Sequence, residues 1–128
     1  MQIDATEPDV HISVSNCVFH GSEIHGVEIG GAMDTNFGRV ILRNNLFTSN
    51  GGYGVLNDTP ASEAGAIIED NNGFYSNTSG EVNGITQGHH DVTLEDDPYT
   101  DVANNDYTTN DTIGGGSACR DTGAGYAG

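Results

Sequence analysis

Arg39–Phe47 reads RVILRNNLF, and the pattern occurs twice more, as HISVSNCVF over His11–Phe19 and AIIEDNNGF over Ala66–Phe74. In register, Asn16, Asn44 and Asn71 form one column and Phe19, Phe47 and Phe74 another, at a nearly constant offset. A fainter copy, DVTLEDDPY over Asp91–Tyr99, follows at a slightly shorter offset and sets Asp96 in the Asn column and Tyr99 in the Phe column. Repeats with a period of roughly 20–50 residues belong to stacked architectures, in which each unit buries its apolar face only against its neighbours.

Within a unit, Ile12 and Val14 alternate with Ser13 and Ser15, the period-two pattern of a half-buried strand. Val40 and Leu42 repeat it in the second unit and Ile67 in the third. The Asn ends that strand, and Val18-Phe19 or Leu46-Phe47 begins another. A third apolar segment follows a Gly-containing turn: Ile24–Ile29, then residues around Val55, then Val82 and Ile85. In that last segment Gly84 is set beside Gly26 and Gly54, and Ile85 beside Val27 and Val55. Three strands and one long loop make a coil, and coils stacked about 4.8 Å apart bring like residues into ladders. Asn16, Asn44 and Asn71 are then expected to hydrogen-bond along the stack and satisfy the backbone at the bends. Glu69 takes the inward position held by Val14 and Leu42. An unpaired buried carboxylate costs several kcal/mol, so a bulge that releases Glu69 from the core is expected, with pairing to Arg43 as the alternative.

These repeats resemble the right-handed parallel β-helix of pectate-lyase-like proteins. The tail adds to the likeness. Asp97-Pro98-Tyr99-Thr100-Asp101, Asn105-Asp106-Tyr107 and Ala118–Gly123 are similar to the segment that finishes the last coil in bacterial and phage β-helix proteins. The resemblance implies an all-β fold of about three to four coils with an irregular C-terminal end segment. Residues 1–10 are then a lead-in or N-terminal flap, and 11–99 the coils (11–38, 39–65, 66–90 and a partial 91–99). Residues 100–128 form the end segment.

Composition narrows the partners. The chain of 128 residues is of single-domain length. Leu, Ile, Val and Phe make up only about a fifth of it, at the edge of what a packed core requires, but their periodic placement and the 19 glycines indicate a folded, turn-rich protein. With net charge −16, no lysine and only Arg39, Arg43 and Arg120 as cations, it cannot build the basic patch that nucleic acid or an anionic membrane requires. The carboxylate surplus suits divalent cations, a basic partner, or salty or extracellular surroundings. MQIDATEPDV has neither the cationic nor the apolar region of a signal peptide. Cys17 and Cys119 read as two independent small residues, a disulfide being the alternative.

The lyases that the resemblance brings in hold calcium with aspartates and use an Arg or Lys as base. Arg39 and Arg43, on either side of Ile41, are the candidates among the repeats, and two outward residues paired with carboxylates are the plainer reading. Gly88-His89-His90 and Asn57-Asp58-Thr59 match only fragments of the hydrolase pattern, and the basic motif that should follow is missing. No catalytic residue is assigned. His89, His90 and Asp91 are adjacent, but successive strand residues face opposite ways, which leaves too few ligands for zinc. Glu95, Asp96, Asp97 and Asp101 form the candidate calcium cluster, with a solvated acidic loop as the alternative. No other cofactor is expected. His25 and Tyr53 share a column outside the coil and are the candidate sugar-stacking platform.

The last coil has a finish, whereas Ile12 and Val14 present an unpaired strand edge over an apolar core. The expected function is therefore a non-enzymatic structural or adhesion module of an extracellular, cell-surface or virion assembly, as a decoration or fibre component. Other protein subunits are the expected partners, as a homo-oligomer or longer assembly, with polysaccharide as a further ligand. The alternatives are a truncated or degenerate polysaccharide lyase or hydrolase domain, or a calcium-stabilised sugar-binding module.

Overall fold

Each repeat contributes one short strand to each of three sheets, because its apolar residues come in three runs broken by residues suited to sharp bends. The computed structural model describes residues 1–4, 11–30, 39–59 and 67–122. The lead-in beyond Asp4, residues 31–38 and 60–66, where the long loops are expected, and residues 123–128 with the end of the Ala118–Gly123 motif lie outside the described residues. The first sheet stacks β2 (His11–Ser15), β5 (Arg39–Arg43) and β8 (Ile67–Asp70). The second runs β3 (Val18–His20), β6 (Leu46–Thr48), β9 (Gly73–Tyr75) and β11 (Val92–Thr93). The third runs β1 (Gln2–Asp4), β4 (Val27–Gly30), β7 (Tyr53–Asn57) and β10 (Gly80–Asn83). All neighbours in these three sheets are parallel. The architecture is all-β, mostly of parallel strands, and compatible with a β-helix.

Register turns the sequence columns into physical ones. Ile12, Val40 and Ile67 align, as do Phe19, Phe47 and Phe74, and Val27, Val55 and Val82. The phenylalanine rings stack at 5.1 and 5.3 Å, nearly parallel. With Val27, Ile29, Val40, Leu42 and Val55 they form the core, which excludes water from Phe47 completely.

Two bend columns turn the chain between sheets. Asn16, Asn44 and Asn71 hold φ of 56, 55 and 59°, and Gly21, Ser49 and Ser76 hold 67, 53 and 54°. The first column is asparagine because its short polar side chain tolerates the left-handed region better than most residues. Along the stack Asn16 N–H donates to Arg43 O (3.3 Å) and Asn44 N–H to Asn71 O (3.1 Å), and a side-chain amide ladder lies one residue further on. Cys17 N–H donates to Asn45 Oδ1 (3.1 Å), Asn45 N–H to Asn72 Oδ1 (2.9 Å) and Asn72 N–H to Asp91 Oδ1 (2.8 Å). The side-chain amides of Asn45 and Asn72 in turn donate to Val14 O and Leu42 O of the preceding repeat. A second ladder through Asn50 and Asn77 does the same after the second bend, serving Phe19 O and Phe47 O. These amides satisfy backbone groups that no strand reaches.

Three sequence expectations are corrected. Glu69 does not bulge: β8 stays in register with Leu42 beside Glu69, and Glu69 points into the core at 6% exposure without pairing to Arg43. Val82, and not Ile85, is the partner of Val55; Gly84, at φ 75°, instead accepts from Asn57 Nδ2 at its carbonyl. The fourth copy is also shorter than its sequence match. Val92 lies beside Gly73 and Thr93 beside Phe74, so Asp91, rather than Asp96, continues the amide ladder and Tyr99 leaves the Phe column.

From Leu94 the chain folds back along the outer face of the second sheet. Strands β12 (Tyr99–Asp101) and β13 (Asp106–Thr109) form an antiparallel hairpin, and α1 (Gly116–Thr122) follows. A Cβ placed on Gly73 would meet Leu46, Cys119 and Leu94, which marks this second, smaller apolar layer. Arg120 fastens α1 to β13, donating to Thr109 O (3.2 Å) and Asn110 O (2.8 Å).

Candidate functional site

The end of the stack at the first repeat is built differently in its three sheets. In the third sheet β1 lies over β4, with Ile3 beside Ile29, and Val27 and Ile29 are both 0% exposed. In the other two sheets, β2 and β3 are the outermost strands among the described residues. Their inward residues Ile12, Val14 and Phe19 are only half-buried, whereas Val40, Leu42 and Phe47 in the same columns are at 0%. Val18 is 44% exposed. Strand pairing, not residue type, sets this difference. An outer strand edge also presents backbone N–H and C=O groups able to pair with another strand.

The chemistry of that edge stands out against the chain. His11–His20 contains no carboxylate and no Lys or Arg, in a protein of net charge −16. Both amide ladders stop there as well, because Cys17 and Ser22 occupy the positions held below by Asn45 and Asn50. Cys17 Sγ lies 3.3 Å from Ser15 O of its own repeat. A groove of about 410 Å³ adjoins this end, lined by Met1, Gln2, Ser22, Glu23, Ile24, His25 and Glu28. His25 borders it and stacks on Tyr53 at 5.9 Å, 18° from parallel. Tyr53 N–H donates to His25 Nδ1 at 2.9 Å, so in this arrangement Nδ1 is unprotonated. The two rings of the candidate sugar platform are therefore brought together, one above the other.

At the opposite end the turn 88–91 crosses β8. Asn72 Nδ2 donates to Glu69 Oε1 (2.6 Å), and Gly88 N–H donates to Glu69 Oε2 (2.9 Å) and to Asp91 Oδ2 (2.8 Å). Burial first, then the hydrogen bond and charge of Asp91, push the Glu69 carboxyl up to about 8, against the opposing bonds from Gly88 and Asn72. On the outer face, His90 Nδ1 meets Asp70 Oδ2 at 3.1 Å. Burial alone would raise Asp70, but the bonds from His90 outweigh it and hold the carboxyl below its ordinary value.

The remaining candidates are dispersed. Arg39 and Arg43 are exposed on the outer face of β5, Arg43 beside Ser15 and Asp70, and neither forms an ion pair with another described residue. Asp97 accepts from Tyr99 N–H and Asp101 caps the turn Val102–Asn104. The backbone N–H groups of Glu95 and Asp96 donate to Gly114 O. No set of three or more His, Cys, Asp or Glu among the described residues converges as a metal site. Cys17 and Cys119 are free thiols, the latter pushed up to about 11 by burial.

Sequence reasoning missed one cluster. His20 Nδ1 lies 2.9 Å from Thr48 Oγ1, which lies 2.9 Å from Tyr99 OH, and Tyr107 packs edge-on against both His20 and Tyr99. Burial pushes the Tyr99 hydroxyl up to about 12. The cluster pins the returning hairpin to the first repeat, and its members are too far apart in sequence to suggest one another. Among the described residues no helix is long and apolar enough to cross a membrane. No protein-family model, curated protein or solved structure matches the chain.

Proposed function

We propose that the chain is a non-enzymatic structural module, a short right-handed parallel β-helix of the pectate-lyase-like type, that assembles end to end through β2 and β3. The observation that carries this reading is the half-burial of Ile12, Val14 and Phe19 beside Val40, Leu42 and Phe47, which are sealed in the next repeat of the same columns. The occupant we favour is a second copy of the chain. Its carboxylate-free edge lets two ends approach without the like-charge repulsion that the rest of a −16 surface imposes. Such a contact is isologous, the commonest symmetry for a homo-oligomer. An extracellular or virion surface is the setting this reading suggests, as one part of a decoration or fibre.

The test is light scattering across a concentration series, with Val14→Asp as the edge variant. The wild type is expected to associate with rising concentration, and V14D to remain a folded monomer by circular dichroism. A wild type that stays a folded monomer throughout overturns the reading.

A further inference from the structure

The closed end of the stack is fastened by acids. Glu69 and Asp91 together accept three donors, Asn72 N–H, Asn72 Nδ2 and Gly88 N–H, and the last is shared between them. No cation among the described residues joins the set. We propose that the Glu69–Asp91 pair is a proton-dependent clasp: with one shared proton it holds the turn 88–91 and β11 over the end of the core, and without that proton the segment opens. The inference goes beyond the end-to-end reading and does not depend on it.

Geometry makes the proton necessary. Two ionised carboxylates joined through a common donor in a buried site repel each other, and no described cation offsets them. One proton converts the repulsion into an O–H···O⁻ bond, among the stronger hydrogen bonds available to a protein. Glu69 sits in the aliphatic column, beside Leu42 in register, so the cost of its charge falls on the core itself. The turn also fits closely: a Cβ on Gly88 would collide with the backbone of Glu69 and Asp70. Opening it would uncover Phe74, whose strand is covered on that side by β11.

The other charged groups on neighbouring elements act elsewhere. Asp70, on the same strand, is engaged with His90 of the turn on the outer face, where Arg43 of β5 lies beside it in register. His89 is exposed. On β10, Glu81 accepts from Thr93 of β11. The His90–Asp70 contact is a second tether of the same turn, so the test must isolate Glu69 from it.

The sign follows from linkage. The Glu69 carboxyl is raised from 4.5 to about 8 in the closed state. Opening therefore releases a proton throughout that window. The closed state is fully favoured below the lower value and loses up to about tenfold per pH unit as pH rises toward the upper one, with no further loss beyond it. Amide hydrogen exchange of residues 86–94, corrected for the chemical rate and followed from pH 5.5 to 9, reads this directly. Wild-type protection is expected to fall with that slope and level off near the upper value. In E69Q the amide can still donate to Asp91, and protection should be independent of pH. D91N removes the neighbouring charge but leaves the burial, so it should bring the level-off to a lower pH, and it serves where E69Q folds poorly. A flat wild-type profile, a slope unchanged in E69Q, a level-off unmoved in D91N, or an equal slope in β5 and β6 amides overturns the clasp.

Discussion

Phe19 and Phe74 each stack on one face of Phe47, at 5.1 and 5.3 Å, yet Phe74 is 1% exposed while Phe19 remains half-buried. The two rings occupy the same column and follow the same bend. What differs is the next strand: Thr93 of β11 lies beside Phe74, and no described strand lies beyond β3. A repeat makes its own core only when another repeat follows, so the ends of the stack must be finished by other means. The closed end uses a shortened rung and a carboxyl pair, while the returning hairpin lies along the outer face of the second sheet and reaches the first repeat. The open end has β1 over one sheet and, among the described residues, bare edges on the other two.

Truncating the two rings puts this difference in numbers. Phe74→Ala should cost about 3–5 kcal/mol in urea unfolding, the range for a sealed core phenylalanine. Phe19→Ala should cost about 1–2 kcal/mol in the dilute monomer, since much less area leaves water there, and more once the end is occupied by a partner. Equal losses at low concentration would break the comparison, because they would mean that Phe19 is already covered within the chain.

The ladders give a second contrast of smaller size. Asn72→Ala strands Leu42 O, Asn45 N–H and one oxygen of Glu69 in the interior, and should cost about 2–4 kcal/mol, since unsatisfied buried polar groups cost about 1–3 kcal/mol each and one of these can be relieved by protonation. Cys17→Ala at the other end of the same column should stay within about 0.5 kcal/mol, as expected for an exposed site. Thermal melts of both variants check the pair.

The repeat is legible in the sequence because columns of Asn and Phe survive alignment at a nearly constant offset. The pattern misleads where the offset changes. Asp91–Tyr99 matches the repeat best at an offset close to the others, but the chain crosses β8 by the turn 88–91 and enters the second sheet well before that match, with Val92 beside Gly73. A carboxylate alone in a core is too costly, so sequence pattern favours an outward bulge at Glu69. Its partners Gly88 and Asp91 come from the turn that the longer register places elsewhere. Asn44 and Asn45 adjoin in sequence, and only the folded backbone shows that the first makes the bend, with its N–H on Asn71 O, and that the second's side chain bonds Asn72. The open edge is legible in outline, since an aliphatic strand with no unit before it has no partner. That the lead-in runs over this end is legible too, and β1 pairs with β4, but which of the three sheets it closes is not, because QID is too short to carry a period.

The smallest effect tests whether the open end is a finished surface or an interrupted ladder. Cys17 receives an acceptor from Asn45 but offers no amide in return. Cys17→Asn would supply one, with a donor and an acceptor facing away from the stack. In the dilute monomer those groups meet only water, so stability should again move by less than about 0.5 kcal/mol. In an end-to-end contact the same amide can bond the partner's bend, worth about 0.5–1.5 kcal/mol, or about two- to tenfold in dissociation constant by sedimentation. A gain in the monomer instead would place an upstream stretch of the chain against the first bend, and the end would then be closed from within.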